Sequence, residues 1–114
     1  MKDKKYRTIV FYKDYFQEFF NKQSQKVKDK FIWTFEVIED LERVPSIYLK
    51  QIEGTEGLYE IRVKQSGNIF RTFCFFDEGK LVVTINSFQK KTQKTPKKEI
   101  KKALTIKKEY ENER

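Results

Sequence analysis

The sequence predicts an α+β fold: a twisted antiparallel sheet of about four strands, an N-terminal helical hairpin on one face, and a C-terminal helix. Three observations predict it. Residues 57–91, GLYEIRVKQSGNIFRTFCFFDEGKLVVTINSFQKK, hold three runs rich in Val, Ile, Phe, Tyr and Thr. Turn signals at Gly67-Asn68 and Asp77-Glu78-Gly79 join them, which is the pattern of an antiparallel meander. Before the meander, apolar residues recur at helical spacing, and after it Thr95-Pro96 reads as a helix start. A chain of 114 residues is expected to form a single domain, residues 1–114, with a modest core.

Each element has its own local reason. Residues 7–12, RTIVFY, form a short apolar strand, which must join the sheet and is placed beside the final strand. Asp14 caps a short helix, with Gln17 completing a capping box. Tyr15, Phe16, Phe19 and Phe20 give that helix an apolar face. Ser24 caps a longer helix from residue 25 to about 43, whose stripe is Val27, Phe31, Phe35, Ile38 and Leu41, widened by Trp33 and Val37. Pro45 stops it. Residues 46–56 read as a connection that carries Lys50. At the far end Thr95 caps the last helix with Pro96 in its first position, and Ile100, Ala103, Leu104 and Tyr110 form the inner stripe.

The turns set a register. A two-residue turn at Gly67-Asn68 places Lys64 opposite Arg71 and Arg62 opposite Phe73. A two-residue turn at Glu78-Gly79 places Asn86 opposite Arg71 and Thr84 opposite Phe73. Side chains alternate between faces. One face then carries Tyr59, Ile61, Val63, Phe70, Thr72, Cys74, Phe76, Leu81, Val83 and Ile85, a core set. The other carries Glu60, Arg62, Lys64, Arg71, Phe73, Phe75, Thr84, Asn86, Phe88 and Lys90, with cations beside aromatics. A three-residue turn at Asp77-Glu78-Gly79 would instead flip the last strand and remove Asn86 and Lys90 from that face. Like charges facing each other across a ladder repel by roughly 0.2–1 kcal/mol. Lys64 against Arg71 therefore gains nothing unless an anion lies between them. The plain structural alternative is a solvated, salt-bridged face with Glu60 as partner.

Composition narrows the chemistry. The net charge is +8, and residues 90–114 hold ten Lys/Arg against four Asp/Glu. A basic tail and a basic sheet face point to a polyanion, nucleic acid foremost. The absence of His excludes His-based triads and bases, and one cysteine, Cys74, excludes an internal disulfide or a Cys-based zinc site. The four Gly are spread singly, so no phosphate-cradling loop forms, and no cofactor or metal is expected. Residues 1–16 lack a signal-peptide pattern and no run is long enough to span a membrane, so the cytoplasm is the expected compartment.

What remains is Arg and Lys converging on a sheet. Arg grips phosphate oxygens in pairs, and an exposed Phe73 or Phe75 would stack an unpaired base. RNA cleavage through the 2′-hydroxyl needs a base, a charge stabiliser and an acid. Without His the base is Glu60 or a Lys of depressed pKa, for which Lys64, crowded by Arg62 and Arg71, qualifies. Arg62 and Arg71 hold the phosphate. Lys90 or Lys91 serves as acid or second clamp. Lys50, Asn86, Lys91 and Lys94 are further RNA-binding candidates. A non-catalytic nucleic-acid clamp would use the same residues.

The segment GLYEIRV, followed by GNIFRTFCFFDEGKLVVTINSFQKKTQKTPKKEI, resembles the RelE/ParE superfamily of bacterial toxins, in particular its HigB-like, phage-derived branch. The resemblance runs from about Leu49 to Tyr110, and KKTQKTP at residues 90–96 is its most specific part. It implies a small RelE-like α+β fold and a ribosome-dependent mRNA endonuclease that stalls translation. It implies two partners: the ribosome with its mRNA, and a cognate antitoxin, in this branch usually a helix-turn-helix protein. Arg62 and Arg71 match the strand arginines of the pattern. Lys90 and Lys91 match lysines ending the last strand, where many relatives place a His or Tyr that this chain lacks. The ParE branch, which inhibits DNA gyrase, and a non-catalytic nucleic-acid-binding relative are the alternatives.

Overall fold

Three strands of the expected meander lie at the centre of the molecule: β3 (Tyr59–Gln65), β4 (Asn68–Asp77) and β5 (Leu81–Lys90). A computed structural model describes residues 5–92 and 94–113. Before the meander come β1 (Thr8–Phe11), α1 (Tyr15–Asn21), α2 (Gln25–Asp40) and β2 (Leu49–Gln51), and after it α3 (Lys97–Asn112). The KKTQKTP segment lies partly outside the described residues, because it includes Gln93.

The sheet is mixed and five-stranded, in the order β1-β5-β4-β3-β2. β1 joins β5 as expected, and the pair is parallel. The expectation of about four antiparallel strands is corrected by this pair and by β2. That strand lies in the stretch expected to be a bare connection, and three residues are too few to show a period. It pairs through Lys50 opposite Glu60.

Both turns differ from the expected ones. Gln65 pairs with Asn68, so the first turn is Ser66-Gly67, one residue early. Its two central residues have φ of 55° and 81°. A turn with positive φ at both centres favours Gly second, which puts Ser66 first. The ladder therefore slides by two residues. The faces of β3 and β4 stay as expected, but Arg71 now stands opposite Arg62, Glu60 opposite Phe73 and Lys64 opposite Ile69. The second turn spans Glu78-Gly79-Lys80, between the paired Asp77 and Leu81. Three residues flip the start of β5, so Val83 faces the same way as Phe75. A bulge then reverses the flip. Phe73 alone stands against Ile85 and Asn86, after which Phe88 pairs with Arg71 and Lys90 with Ile69. Lys90 thus keeps the face it was expected to occupy, while Asn86 does not stand opposite Arg71.

Each sheet face carries its own core. Phe16, Val27, Phe31 and Ile38 of the helical hairpin pack on Ile61, Val63, Phe70, Cys74 and Val82. Ser24 caps α2 by accepting from Val27 N at 3.3 Å. Asp14 makes no side-chain cap bond, and Gln17 donates to Asn21 instead. α2 stops at Asp40, short of residue 43, where the Arg7 guanidinium takes up the carbonyls of Ile38, Leu41 and Glu42. Trp33 and Leu41, expected in the stripe, lie outward at 43% and 39% exposure.

On the opposite face, Ala103 and Ile106 of α3 pack on Phe73, Phe75, Val83, Ile85 and Phe88. Ile106 takes the inner place expected of Leu104. Neither phenylalanine expected to be exposed here is so: Phe73 is 0% and Phe75 3% exposed. Pro96 is the N-cap of α3, not its first helical residue, and no side chain caps the helix. Thr95 is turned elsewhere.

Candidate functional site

α3 covers the aromatic part of its sheet face and leaves the other end open. β3 delivers Glu60 and Arg62 to that end, β4 delivers Arg71, and β5 delivers Lys90. Period-two alternation puts Glu60 and Arg62 on one face, and the bulge brings Lys90 round to join them.

Glu60 is the hub. It is 7% exposed and Arg71 is 6% exposed. Its Oε1 lies 3.7 Å from Arg71 Nε and its Oε2 lies 3.5 Å from Arg62 Nε. Thr95, expected to cap a helix, instead donates its hydroxyl to Glu60 Oε1 at 3.4 Å. The two guanidinium contacts are ion pairs without hydrogen-bond geometry, so the buried Nε of both Arg62 and Arg71 makes no hydrogen bond. Arg71 spends one Nη1 bond on Phe70 O at 3.1 Å, and Arg62 one on Ser46 O at 3.1 Å. Burial pushes Arg71 below its ordinary pKa; Glu60 opposes this and Arg62 adds to it. Lys90 is also pushed down, first by burial and then by Arg71, with Glu60 opposing. A single carboxylate thus pairs with two arginines and offsets part of the repulsion between them and Lys90.

Two open clefts flank this cluster and share Arg62, Ile69 and Arg71. One, of about 540 Å³, adds Lys30, Ile47, Tyr48, Val63 and Lys64. The other, of about 510 Å³, adds Lys90, Lys91 and Thr92. A cleft of this size with convergent cations and buried, unsatisfied donors suits a phosphate-bearing ligand.

The structure therefore brings together Glu60, Arg62, Arg71 and Lys90. Lys64 and Lys91 stand exposed at the cleft walls. Lys50 is exposed opposite Glu60 and adds to the charge pressing on Lys90. Lys94 is exposed and, among the described residues, lines neither cleft. Two expectations are corrected. Phe73 is sealed beneath α3 against Phe88, with ring centres 5.6 Å apart, and has no face to offer a base. Asn86 is 3% exposed and directs its amide toward Glu99 of α3, at 3.5 Å, not toward Arg71. Cys74 is fully buried, and burial pushes its thiol up, away from nucleophilic use. Among the described residues no three acidic or thiol side chains gather to hold a metal.

Sequence reasoning missed Thr95, Ile47, Tyr48 and Ile69. Thr95 carried a signal, but it was the signal of a cap. Ile47 and Tyr48 follow Pro45 in a stretch without periodicity. Ile69 sits just after the turn signal Gly67-Asn68 and carried no signal of its own.

No curated protein matches this sequence. A family model described as Phage derived protein Gp49-like (DUF891) matches residues 18–108, from within α1 to within α3. That span includes every strand of the site and most of α3. The chain belongs to this Gp49-like phage-derived family, part of the RelE/HigB-type toxin superfamily and associated with the toxins of toxin–antitoxin systems.

Proposed function

We propose that the chain acts as one toxin domain that cleaves mRNA on the ribosome and is held in check by a cognate antitoxin of the helix-turn-helix kind. The observation that carries this reading is Arg71: a buried guanidinium in the central sheet, beside a second one, with Nε unbonded at the floor of two cationic clefts. Arginine in such a place is costly to desolvate unless a partner compensates. Glu60 offsets part of that cost as an ion pair at 3.7 Å without a hydrogen bond; a phosphodiester would supply the rest.

The chemistry follows from the four clustered groups. The Glu60 carboxylate takes the proton of the 2′-hydroxyl, and the freed oxygen attacks the adjacent phosphorus. Arg71 and Arg62 stabilise the charge that grows on the non-bridging oxygens. The Lys90 ammonium gives a proton to the departing 5′-oxygen, which leaves a 2′,3′-cyclic phosphate and a 5′-hydroxyl. The lowered pKa of Lys90 favours that last transfer, because a weaker base releases its proton more readily. Lys90 thereby takes the depressed-amine part expected of Lys64, as acid and not as base.

The test is cleavage of ribosome-bound mRNA. Arg71→Ala is expected to melt as a folded protein, to bind ribosomes, and to cleave about 10²–10³ times more slowly. Arg71→Lys restores only part of the rate, because a point charge cannot grip two oxygens. A near wild-type rate for Arg71→Ala removes the reaction from this cleft. Gyrase-linked DNA breaks with intact mRNA would instead assign the chain to gyrase inhibition.

A further inference from the structure

The cleavage chemistry uses Arg62 and Arg71, which both clefts share, and Lys90 of the smaller cleft, and leaves the apolar wall of the larger cleft without a task. That wall is Ile47, Tyr48, Val63 and Ile69, set against Lys30, Lys64 and the two arginines, with no carboxylate among the lining residues. The smaller cleft has no such wall. Beyond the shared Arg62, Ile69 and Arg71 it offers Lys90, Lys91 and Thr92. The two sides of the phosphate position therefore differ in kind: one adds an aromatic and apolar wall to the shared residues, the other adds only Lys90, Lys91 and Thr92.

The Tyr48 ring is also fixed in advance. Trp33 meets it edge-on, with ring centres 5.4 Å apart at 73°, and Lys30 lies over the Trp33 ring at 4.3 Å. Arg62 anchors the loop: its N donates to Tyr48 O at 2.8 Å and its Nη1 to Ser46 O at 3.1 Å. Tyr48 N in turn donates to Pro45 O at 3.0 Å. Beside this ring Ile47 is 63% exposed, so the apolar surface is not consumed by the core. A ring held in place loses little freedom when a ligand stacks on it.

We propose that the larger cleft is a nucleobase subsite, in which one unstacked base of a single-stranded RNA lies on the Tyr48 ring while its phosphate sits at Arg62 and Arg71. The proposal rests on the ribonuclease reading and extends it. Base recognition belongs to the Tyr48 side of the cleaved bond, and the Lys91 side holds backbone by charge alone. A nucleotide joins a flat apolar ring to an anion, and this wall joins the same two features in reverse. An apolar peptide would answer none of the charge on Lys30, Lys64, Arg62 and Arg71, of which Glu60 meets only the two arginines. A bare anion would leave Tyr48, Ile47 and Ile69 unused. The volume of about 540 Å³ falls within the range of sites that enclose one small ligand.

Trp33 is the sole tryptophan, and its contact with Tyr48 makes it a reporter. The probe is a 2′-O-methyl RNA trinucleotide, which cannot be cleaved by this route, with tripolyphosphate as the base-free control. The trinucleotide is expected to change Trp33 fluorescence saturably, and tripolyphosphate is not. In calorimetry Tyr48→Phe retains the affinity. Tyr48→Leu, which keeps bulk but loses the aromatic face, weakens it on the order of 10-fold, as loss of one stacked base does. Ile47→Glu, at an exposed position that leaves the fold intact, weakens it too. An equal response to tripolyphosphate, or wild-type affinity in both Tyr48→Leu and Ile47→Glu, overturns the proposal. The two readings fail separately. A wild-type chain that binds the trinucleotide through Tyr48 but leaves ribosomal mRNA intact refutes cleavage and keeps the subsite. A chain that cleaves mRNA with the same base pattern before and after Tyr48→Leu keeps cleavage and refutes the subsite.

Discussion

Lys64 and Lys90 differ by environment, not by chemistry. Lys64 stands exposed opposite Ile69, whereas Lys90 is half-buried and pressed by Arg71, Arg62 and Lys50. The fold therefore holds Lys90 below the ordinary 10.5. If its ammonium protonates the leaving oxygen, cleavage falls as pH rises through that lowered pKa, so the alkaline limb of the rate profile lies below the ordinary lysine range. Arg71→Ala removes one of the positive charges that depress it, so the residual activity of that variant has its limb at higher pH. Lys90→Arg is slower and has no limb in the accessible range, because guanidinium does not titrate there. The measurement is the pH profile of single-turnover cleavage. Identical limbs in wild type and Lys90→Arg would exclude Lys90 as the acid. At this scale the sequence was legible in part. Alternation made Glu60, Arg62 and Arg71 neighbours on paper, and they are neighbours in the fold. Lys90 was placed on that face too, but it reaches it by another route: a bulge at Ile85 and Asn86, which read as ordinary strand, reverses the flip of a three-residue turn. Tyr48 was illegible, since its position depends on a bond from Arg62 that no local pattern encodes.

Element by element, the sequence predicted well where periods are long and poorly where both faces are covered. The α2 stripe and the Ser24 cap follow from spacing and from one hydroxyl. β4 is different. Its run FCFF is apolar at consecutive positions, the mark of a strand buried on both sides. Reading it as half-exposed made Phe73 a stacking platform. Phe73 is core, beneath Ala103 and Ile106 of α3. Phe73→Ala is accordingly expected to lower unfolding free energy by about 3–5 kcal/mol, as other large-to-small changes of buried aromatics do. Phe73→Leu costs less and leaves RNA affinity unchanged. Denaturant midpoints and trinucleotide affinities on the same samples separate the two roles. A stable Phe73→Leu that no longer binds RNA would restore the platform. Thr95 shows how an element boundary is displaced by a site: its hydroxyl bonds Glu60 and leaves Pro96 as an N-cap without a side-chain bond.

The whole molecule distributes its charge of +8 unevenly, and the fold divides the tail lysines into groups with different expected roles. Lys91 lines a cleft with Arg62 and Arg71. Lys101 and Lys102 are exposed along α3, away from both clefts among the described residues. Lys94 lies between these groups in the chain and lines neither cleft. Net charge alone attracts any polyanion and treats these lysines alike. A phosphate contact is distinguishable, because each one formed releases counterions and adds to the salt dependence of binding. For single strands the slope of log affinity against log salt changes by about 0.7 per contact. Lys91→Ala is therefore expected to flatten the slope for ribosome binding by roughly that amount. Lys101→Ala and Lys102→Ala leave the slope nearly unchanged, though each removes the same unit of charge. Lys94→Ala falls with the second group if the clefts alone meet RNA, and with Lys91 if the loop between β5 and α3 meets it too. Binding measured across a salt series decides this without reference to cleavage, so it holds for an inactive chain as well. Equal slopes for Lys91→Ala and Lys101→Ala would mean that the ribosome is held by diffuse charge, and that the clefts do not set the position of the RNA.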